Sequence, residues 1–270
     1  MFKAAVVGAG TMGGEIAQVI AASGVPVVLI DVDGRAIDAG LEKARAVTPD
    51  ADAEAVMSRI EGSLTYDALG DVDFVVEAVP ENMAVKQAVF RDLDAHTPGH
   101  AILASNTSGL SISEIANATS RPEKVVGFHF FWPASVMRVV EIVEADATSV
   151  ETLQVAASFA AALRRSAINC GECPGFVFNR ILISLASELW RYQQESGASY
   201  EAVDTFVTEQ GLAPMGPFRL ADMSGLDVTL KVAKDLRAAY GDRFHVHGAM
   251  AGLVAEGQLG HKTGRGFYAY

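Results

Sequence analysis

Cysteine is nearly absent from this chain: two residues among 270, Cys170 and Cys173, in a lone C-G-E-C. A zinc site needs two further ligands at useful spacing, and Cys-Pro-Gly is not a thioredoxin context. The pair reads as incidental thiols of a reducing compartment, so a cytoplasmic location is expected. No apolar run approaches the length that spans a bilayer, and glycines interrupt the first apolar stretch directly after Val7, so no signal peptide is visible. Positive charge is scarce as well, with 21 Lys and Arg against 33 Asp and Glu, a formal net charge of −12. Without a basic run, nucleic acid is not an expected partner. An anionic ligand has to be held by local cations and helix N-termini against the overall field. His245 and His247 stand two apart with no acid cluster beside them, so no metal is expected. Repeats and low-complexity tracts are missing too.

What is present describes a folded chain. Half the residues are hydrophobic and a fifth charged, over a length that suits one large or two moderate domains. Lys3 to Val7 reads as a strand, Gly8-Ala-Gly10-Thr11-Met12-Gly13 follows, and a helical run continues from Gly14 to Ala22. In this G-x-G-x-x-G, Gly8 permits a tight turn, Gly10 lets the backbone approach a pyrophosphate, and Gly13 packs helix on strand. A second strand, Val25 to Ile30, ends in Asp31, eighteen residues beyond Gly13. An acid there accepts hydrogen bonds from ribose hydroxyls and repels a 2′-phosphate, which favours NAD over NADP.

Residues Arg35 to Arg59 read as a helical hairpin broken at Thr48-Pro49-Asp50, with Lys43 and Arg45 on a solvated face. Strands follow over Asp73 to Val79 and Ala101 to Ala104, each with a helix behind it, from about Met83 to Leu93 and Ile112 to Thr119. Alternation of this kind implies a doubly wound, mostly parallel sheet of Rossmann type, whose functional loops lie at the carboxyl ends of the strands.

The stretch Val125 to Val143 holds two Val-, Ile- and Phe-rich runs around a Pro-Ala-Ser break, with His129 in the first and Glu141 in the second. A carboxylate among β-branched residues needs a partner, and His129 is the evident one if the two strands lie side by side. Such a pair fixes the imidazole tautomer and suits a general base; it equally suits a buried link between strands. From Pro174 onward only helical periodicity remains: Val177 to Gln194, Tyr200 to Gln210, Leu226 to Tyr240 and Ala249 to Glu256, with Gly211 to Arg219 as a loop. The expected organisation is α/β: a Rossmann domain over residues 1–172, then a smaller all-helical C-terminal domain over 173–270, with a ligand cleft between them. Lys262-Thr-Gly-Arg-Gly-Phe-Tyr suits phosphate but is not a P-loop.

Seven ordered motifs, G-A-G-T-M-G, E-A-V-P-E-N, S-N-T-S-G-L-S-I, H-F-F-W-P…M-R-V-V-E, C-P-G-F-V-F-N-R, P-M-G-P-F and K-T-G-R-G-F-Y, run from Phe2 to Tyr268. In this order the chain resembles the L-3-hydroxyacyl-CoA dehydrogenases, including their short-chain 3-hydroxybutyryl-CoA members. The resemblance implies NAD-dependent, reversible oxidation of an acyl-CoA in fatty acid metabolism. It assigns His129 as the base, Glu141 as its orienting partner, and Ser108 and Asn179 as donors to the substrate's oxygens. It places Gly8, Gly10, Thr11, Met12, Gly13, Asp31, Glu81, Lys86, Ser108 and Lys262 around the cofactor, and implies a homodimer through the second domain. Two departures bear on the substrate. Trp132 stands where the family usually has Asn, and the hairpin after Asp31 is short. The ring is expected to turn inward beside the nicotinamide, shrinking the acyl pocket toward four-carbon substrates. The competing readings are a dehydrogenase of a free 3-hydroxy acid and a nucleotide-binding protein without catalysis.

Overall fold

The computed structural model describes residues 2–270. It divides into two compact units, the first closing at Phe176 and the second running from Val177 to Tyr270.

The first unit is an eight-stranded sheet. In chain order the strands are β1 (Ala4–Val7), β2 (Val27–Ile30), β3 (Ile60–Ser63), β4 (Phe74–Glu77), β5 (Ile102–Ser105), β6 (Val125–Phe130), β7 (Val139–Glu144) and β8 (Ser166–Gly171). They lie side by side as β3-β2-β1-β4-β5-β6-β7-β8. All neighbours pair in parallel except β6 with β7, which run antiparallel. Strands β1, β2, β4, β5 and β6 are buried at every position. Their residues divide between the two faces with the two-residue period of a pleated strand. Ala4, Val6, Leu29, Phe74, Val76 and Phe128 pack on one side against α1 (Gly13–Ala22), α2 (Gly34–Ala46) and α6 (Val150–Ala162). Ala5, Val7, Ile30, Val75 and Leu103 face α4 (Met83–His96) and α5 (Ile112–Ala116) on the other. The expected Rossmann-type, mostly parallel sheet is therefore found.

Local differences from the sequence reading have physical causes. The stretch read as a hairpin, Arg35 to Arg59, is α2 and a short α3 (Ala53–Met57), and the unanticipated strand β3 follows it. Strand β3, I-E-G-S, and strand β8, S-A-I-N-C-G, are the two sheet edges and stay largely exposed. An edge strand buries too little to need an apolar run. Helix α6 was not anticipated either, although Ser149 caps it through a bond from Thr152 N.

The second unit is helical, as expected: α7 (Phe178–Ser196), α8 (Tyr200–Glu209), α9 (Pro217–Ser224), α10 (Leu226–Tyr240) and α11 (Gly248–Ala255). Trp190, Phe218, Leu226, Leu236, Phe244 and Met250 form its core. The segment read as a loop through Arg219 already begins α9 at Pro217, where proline suits a first helical position. Two buried carboxylates hold this unit together. Asp204 on α8 accepts from Phe218 N at 3.0 Å, Arg219 N at 2.9 Å and the Tyr268 hydroxyl at 2.7 Å. Asp222 on α9 accepts from Phe267 N and Tyr268 N, both at 2.9 Å, and from the Tyr270 hydroxyl at 3.2 Å. The phosphate-like K-T-G-R-G-F-Y is thus a hook closed on Asp222, and a Cβ at Gly260 or Gly266 would run into that aspartate. Among the described residues no helix is long and apolar enough to cross a membrane.

Candidate active site

The site is assembled at the carboxyl ends of the central strands. Between β1 and α1 the glycine loop turns at Gly8, whose φ is +100°. Gly13 presses against the Gly8 carbonyl, and a side chain at either position would collide. Gly10 differs: nothing lies within 4 Å of where its Cβ would be, so a ligand can approach the backbone there. Helix α1 follows Met12, which offers no side-chain cap. Uncapped N–H groups at a helix start, with open space before them, suit a pyrophosphate. Asp31, at the end of β2, accepts from Ala9 N at 2.8 Å and Asp33 N at 3.2 Å, which sets its carboxylate beside the loop. Lys43, expected on a solvated face, instead donates from Nζ to the Thr11 carbonyl at 2.7 Å. One reach of a lysine from α2 thereby ties down the loop's tip.

At the end of β4 stand the acids of E-A-V-P-E-N. Glu81 accepts from the Thr107 hydroxyl at 2.6 Å and from Ser108 at 3.1 Å (N) and 3.3 Å (Oγ). Lys86 is only 1% exposed and sits between Glu77, at 2.7 Å, and Glu81, at 3.4 Å. Any contact it makes with a cofactor is made from within this enclosure. Asn106, two residues before Ser108, accepts from Phe130 N at 2.8 Å, pinning the S-N-T-S loop to the strand that carries His129.

On β6 and β7, His129 and Glu141 lie directly opposite each other in the antiparallel register. His129 Nδ1 is 2.7 Å from Glu141 Oε2, and the carboxylate side chain is fully buried. Phe131 stands edge-on to the imidazole, with ring centroids 4.7 Å apart. An ionised carboxylate only accepts, so Nδ1 carries the proton and Nε2 carries the lone pair. Such a nitrogen can take a proton and return it.

Trp132 does not pack inward. It is 53% exposed at the end of β6, contrary to the expectation for a large ring. The turn beyond it is fastened elsewhere: Ser135 donates from N and Oγ to Glu15 on α1, each at 3.1 Å. In the second unit, Asn179 is the second residue of α7, and Lys262 Nζ holds both oxygens of Asp227 at 2.7 and 2.8 Å. Burial pushes the Asp227 carboxyl up, but the Lys262 bond and charge and the Val228 N–H outweigh it and leave it below the usual range. The sequence reading passed over Glu77 and noted Ser105, Asn106 and Thr107 only as part of the S-N-T-S loop, without roles of their own. For Glu77 the signal was present: a lone carboxylate ending the apolar run F-V-V-E, as Glu141 stands within V-V-E-I-V.

Comparison with known proteins adds identity to this geometry. Residues 3–173 match the family model described as 3-hydroxyacyl-CoA dehydrogenase, NAD binding domain, and residues 175–270 match that of the 3-hydroxyacyl-CoA dehydrogenase C-terminal domain. The chain is 38% identical to the probable 3-hydroxybutyryl-CoA dehydrogenase of Bacillus subtilis (strain 168), over 98% of this chain and 96% of that protein. It is 39% identical to the mitochondrial hydroxyacyl-coenzyme A dehydrogenase of Sus scrofa, over 98% of this chain and 90% of that one. The crystal structure of (S)-3-hydroxybutyryl-CoA dehydrogenase from Ralstonia eutropha superposes with a TM-score of 0.93 at 36% identity, covering 99% of this chain and 98% of that chain.

Proposed function

The chain belongs to the 3-hydroxyacyl-CoA dehydrogenase family, and from that premise we propose that its substrate is short, L-3-hydroxybutyryl-CoA, and that His129 and Glu141 are its acid–base pair. The activity itself is NAD-dependent dehydrogenation of a 3-hydroxyacyl-CoA. The relatives named for 3-hydroxybutyryl-CoA, in Bacillus subtilis and Ralstonia eutropha, support the short chain. The observation that carries the acid–base assignment is the 2.7 Å contact between His129 Nδ1 and a fully buried Glu141.

NAD bound at the glycine loop supplies the acceptor for the hydride that leaves C3. Gly8, Gly10, Thr11, Met12 and Gly13 hold its pyrophosphate and Asp31 its ribose. Glu81, Lys86, Ser108 and Lys262 would make its further contacts. His129 Nε2 takes the 3-hydroxyl proton as C3 becomes positive, and Glu141 stabilises the imidazolium that results. In the reverse direction the protonated ring stabilises the developing alkoxide and returns the proton, with the Ser108 hydroxyl as a second donor. The Asn179 amide orients the substrate's oxygens. Residues 1–172 form the cofactor domain, and 173–270 form the domain through which two chains pair. Ile181, Leu185 and Tyr192 form one exposed stripe on α7, a surface that an isologous dimer covers.

A steady-state comparison of acetoacetyl-CoA with free acetoacetate at matched NADH tests the reading. We expect kcat/KM at least a hundredfold higher for the thioester. Equal use of the free acid would move the chain to a dehydrogenase of free 3-hydroxy acids. Sedimentation at micromolar concentration tests the dimer, and a monomer there would contradict it.

A further inference from the structure

Glu77 is the last residue of β4, in register with Val7 at the end of β1 and Ser105 at the end of β5. Strand order reverses between β1 and β4, so Glu77 stands at the switch point where such sheets open a crevice for a ligand. Its side chain is completely buried, a costly place for a carboxylate unless every oxygen is met. Three donors meet it: Lys86 Nζ at 2.7 Å, Val79 N at 2.7 Å and the Ser105 hydroxyl at 2.6 Å.

Each donor leads to a different wall of the cofactor site. Val79 N belongs to the peptide against which Gly8 packs; a Cβ on Gly8 would lie 2.7 Å from the Ala78 carbonyl. Lys86 reaches on to Glu81, at 3.4 Å. Glu81 in turn takes the bonds from Thr107 and Ser108. Ser105 opens the S-N-T-S loop, and its oxygen also accepts from Thr107 N at 3.3 Å. One cation is thus shared by two carboxylates, one sealed in the sheet and one at the loop.

We infer that Glu77 is a positioning residue of the cofactor site, which through Lys86 and Ser105 fixes Glu81, Ser108 and the peptide behind Gly8 for the nicotinamide dinucleotide. The inference rests on the cofactor assignments proposed above. A buried ion pair alone would not carry it, because apolar replacements often serve stability as well. What carries it is the convergence of three site walls on one carboxylate that itself faces no solvent.

The test is NADH affinity, measured without any acyl substrate, in a double-mutant cycle of Glu77→Gln and Lys86→Met. Glu77→Gln keeps shape and an acceptor oxygen; its NADH Kd should rise about tenfold, or about 1.4 kcal/mol. Because Glu77 acts through Lys86 and Ser105, adding Glu77→Gln to Lys86→Met should raise Kd only about threefold further, the share that runs through Ser105. Ser105→Ala removes one neutral donor to Glu77 and the acceptor of Thr107 N while leaving the Lys86 and Val79 bonds in place, and should raise Kd about threefold. A Glu77→Gln protein with lowered Tm and wild-type Kd would overturn the inference, and so would additive effects in the cycle. If Glu77→Gln does not fold, an unchanged Kd in Ser105→Ala overturns it and a raised one sustains it. A wild-type chain that binds NADH yet turns over no acyl-CoA would sink the proposed substrate and leave this inference standing. One that fails to bind NADH would sink both.

Discussion

The two units each bury a histidine whose tautomer is fixed, and they fix it in opposite senses. In the first, His129 Nδ1 faces Glu141 at 2.7 Å, so Nδ1 carries the proton. In the second, His247 Nδ1 accepts from Ala249 N at 3.2 Å, at the start of α11. Its Nε2 must then carry the proton and donate to Gln193 Oε1 at 2.7 Å. Gln193 is itself oriented by a bond from its amide nitrogen to the Ala198 carbonyl at 2.8 Å. Both ring nitrogens of His247 are therefore spent on structure. The carboxylates differ in the same way. Asp204 and Asp222 meet only backbone N–H groups and tyrosine hydroxyls, whereas Glu141 meets an imidazole whose second nitrogen can carry a lone pair. Burial and a partner do not distinguish the carboxylate proposed to orient a base from the structural ones. The chemistry of the partner's other end does.

The comparison can be broken at several points. The largest effect is expected at His129. His129→Ala should lower kcat about a thousandfold, roughly 4 kcal/mol, while NADH Kd stays within about twofold. A variant with wild-type turnover would remove the base. Asp222→Ala should do the reverse. It strands two half-buried N–H groups and a hydroxyl, so we expect a stability loss of about 3 kcal/mol in denaturant titrations, with kcat of the folded protein within about twofold. Lost turnover at unchanged stability would place Asp222 on the wrong side of the comparison.

A smaller loss is expected from Glu141→Gln, about thirtyfold in kcat or about 2 kcal/mol, since the amide can present its N–H to Nδ1 and favour the wrong tautomer. Unchanged kcat would reduce the pair to a link between strands. The smallest effect concerns His247. Burial, and then the charge of neighbouring His245, push its pKa down to about 4. Between about pH 6.5 and 4 the unfolded chain takes up a proton that the folded one refuses, so this group's contribution falls as pH falls. Over pH 7 to 5.5 the loss should be about 1 kcal/mol, and His247→Asn, which still caps α11, should remove that slope. An identical pH dependence in the variant would show that His247 does not set it.

Legibility in the sequence followed burial on both faces of an element. The five strands buried at every position and the glycine loop were readable because two-sided burial forces continuous apolar runs and a tight turn forces glycine. Strands β3 and β8 were not, since edges carry Glu61, Ser63, Ser166 and Asn169 without penalty. The His129–Glu141 pair was visible because charge is rare in such runs. Glu77 carried the same signal and was passed over. Its partner Lys86 lies nine residues on, across a turn whose geometry no periodicity reports. Lys43 read as solvated because one bond to a backbone carbonyl leaves no trace in a pattern of side chains. Trp132 went the other way. Size alone suggested burial, and a strand end need not bury what it carries.

The most direct measurement is the 15N spectrum of the histidine side chains at pH 7.5, resolved through their ring couplings and assigned with His129→Ala and His247→Asn. The account predicts Nδ1–H with a bare Nε2 for His129 and Nε2–H with a bare Nδ1 for His247, and loss of the His129 preference in Glu141→Gln. An Nε2–H tautomer at His129 would put the lone pair on Nδ1, against Glu141, leaving Nε2 unable to accept the substrate's proton, and would contradict the account.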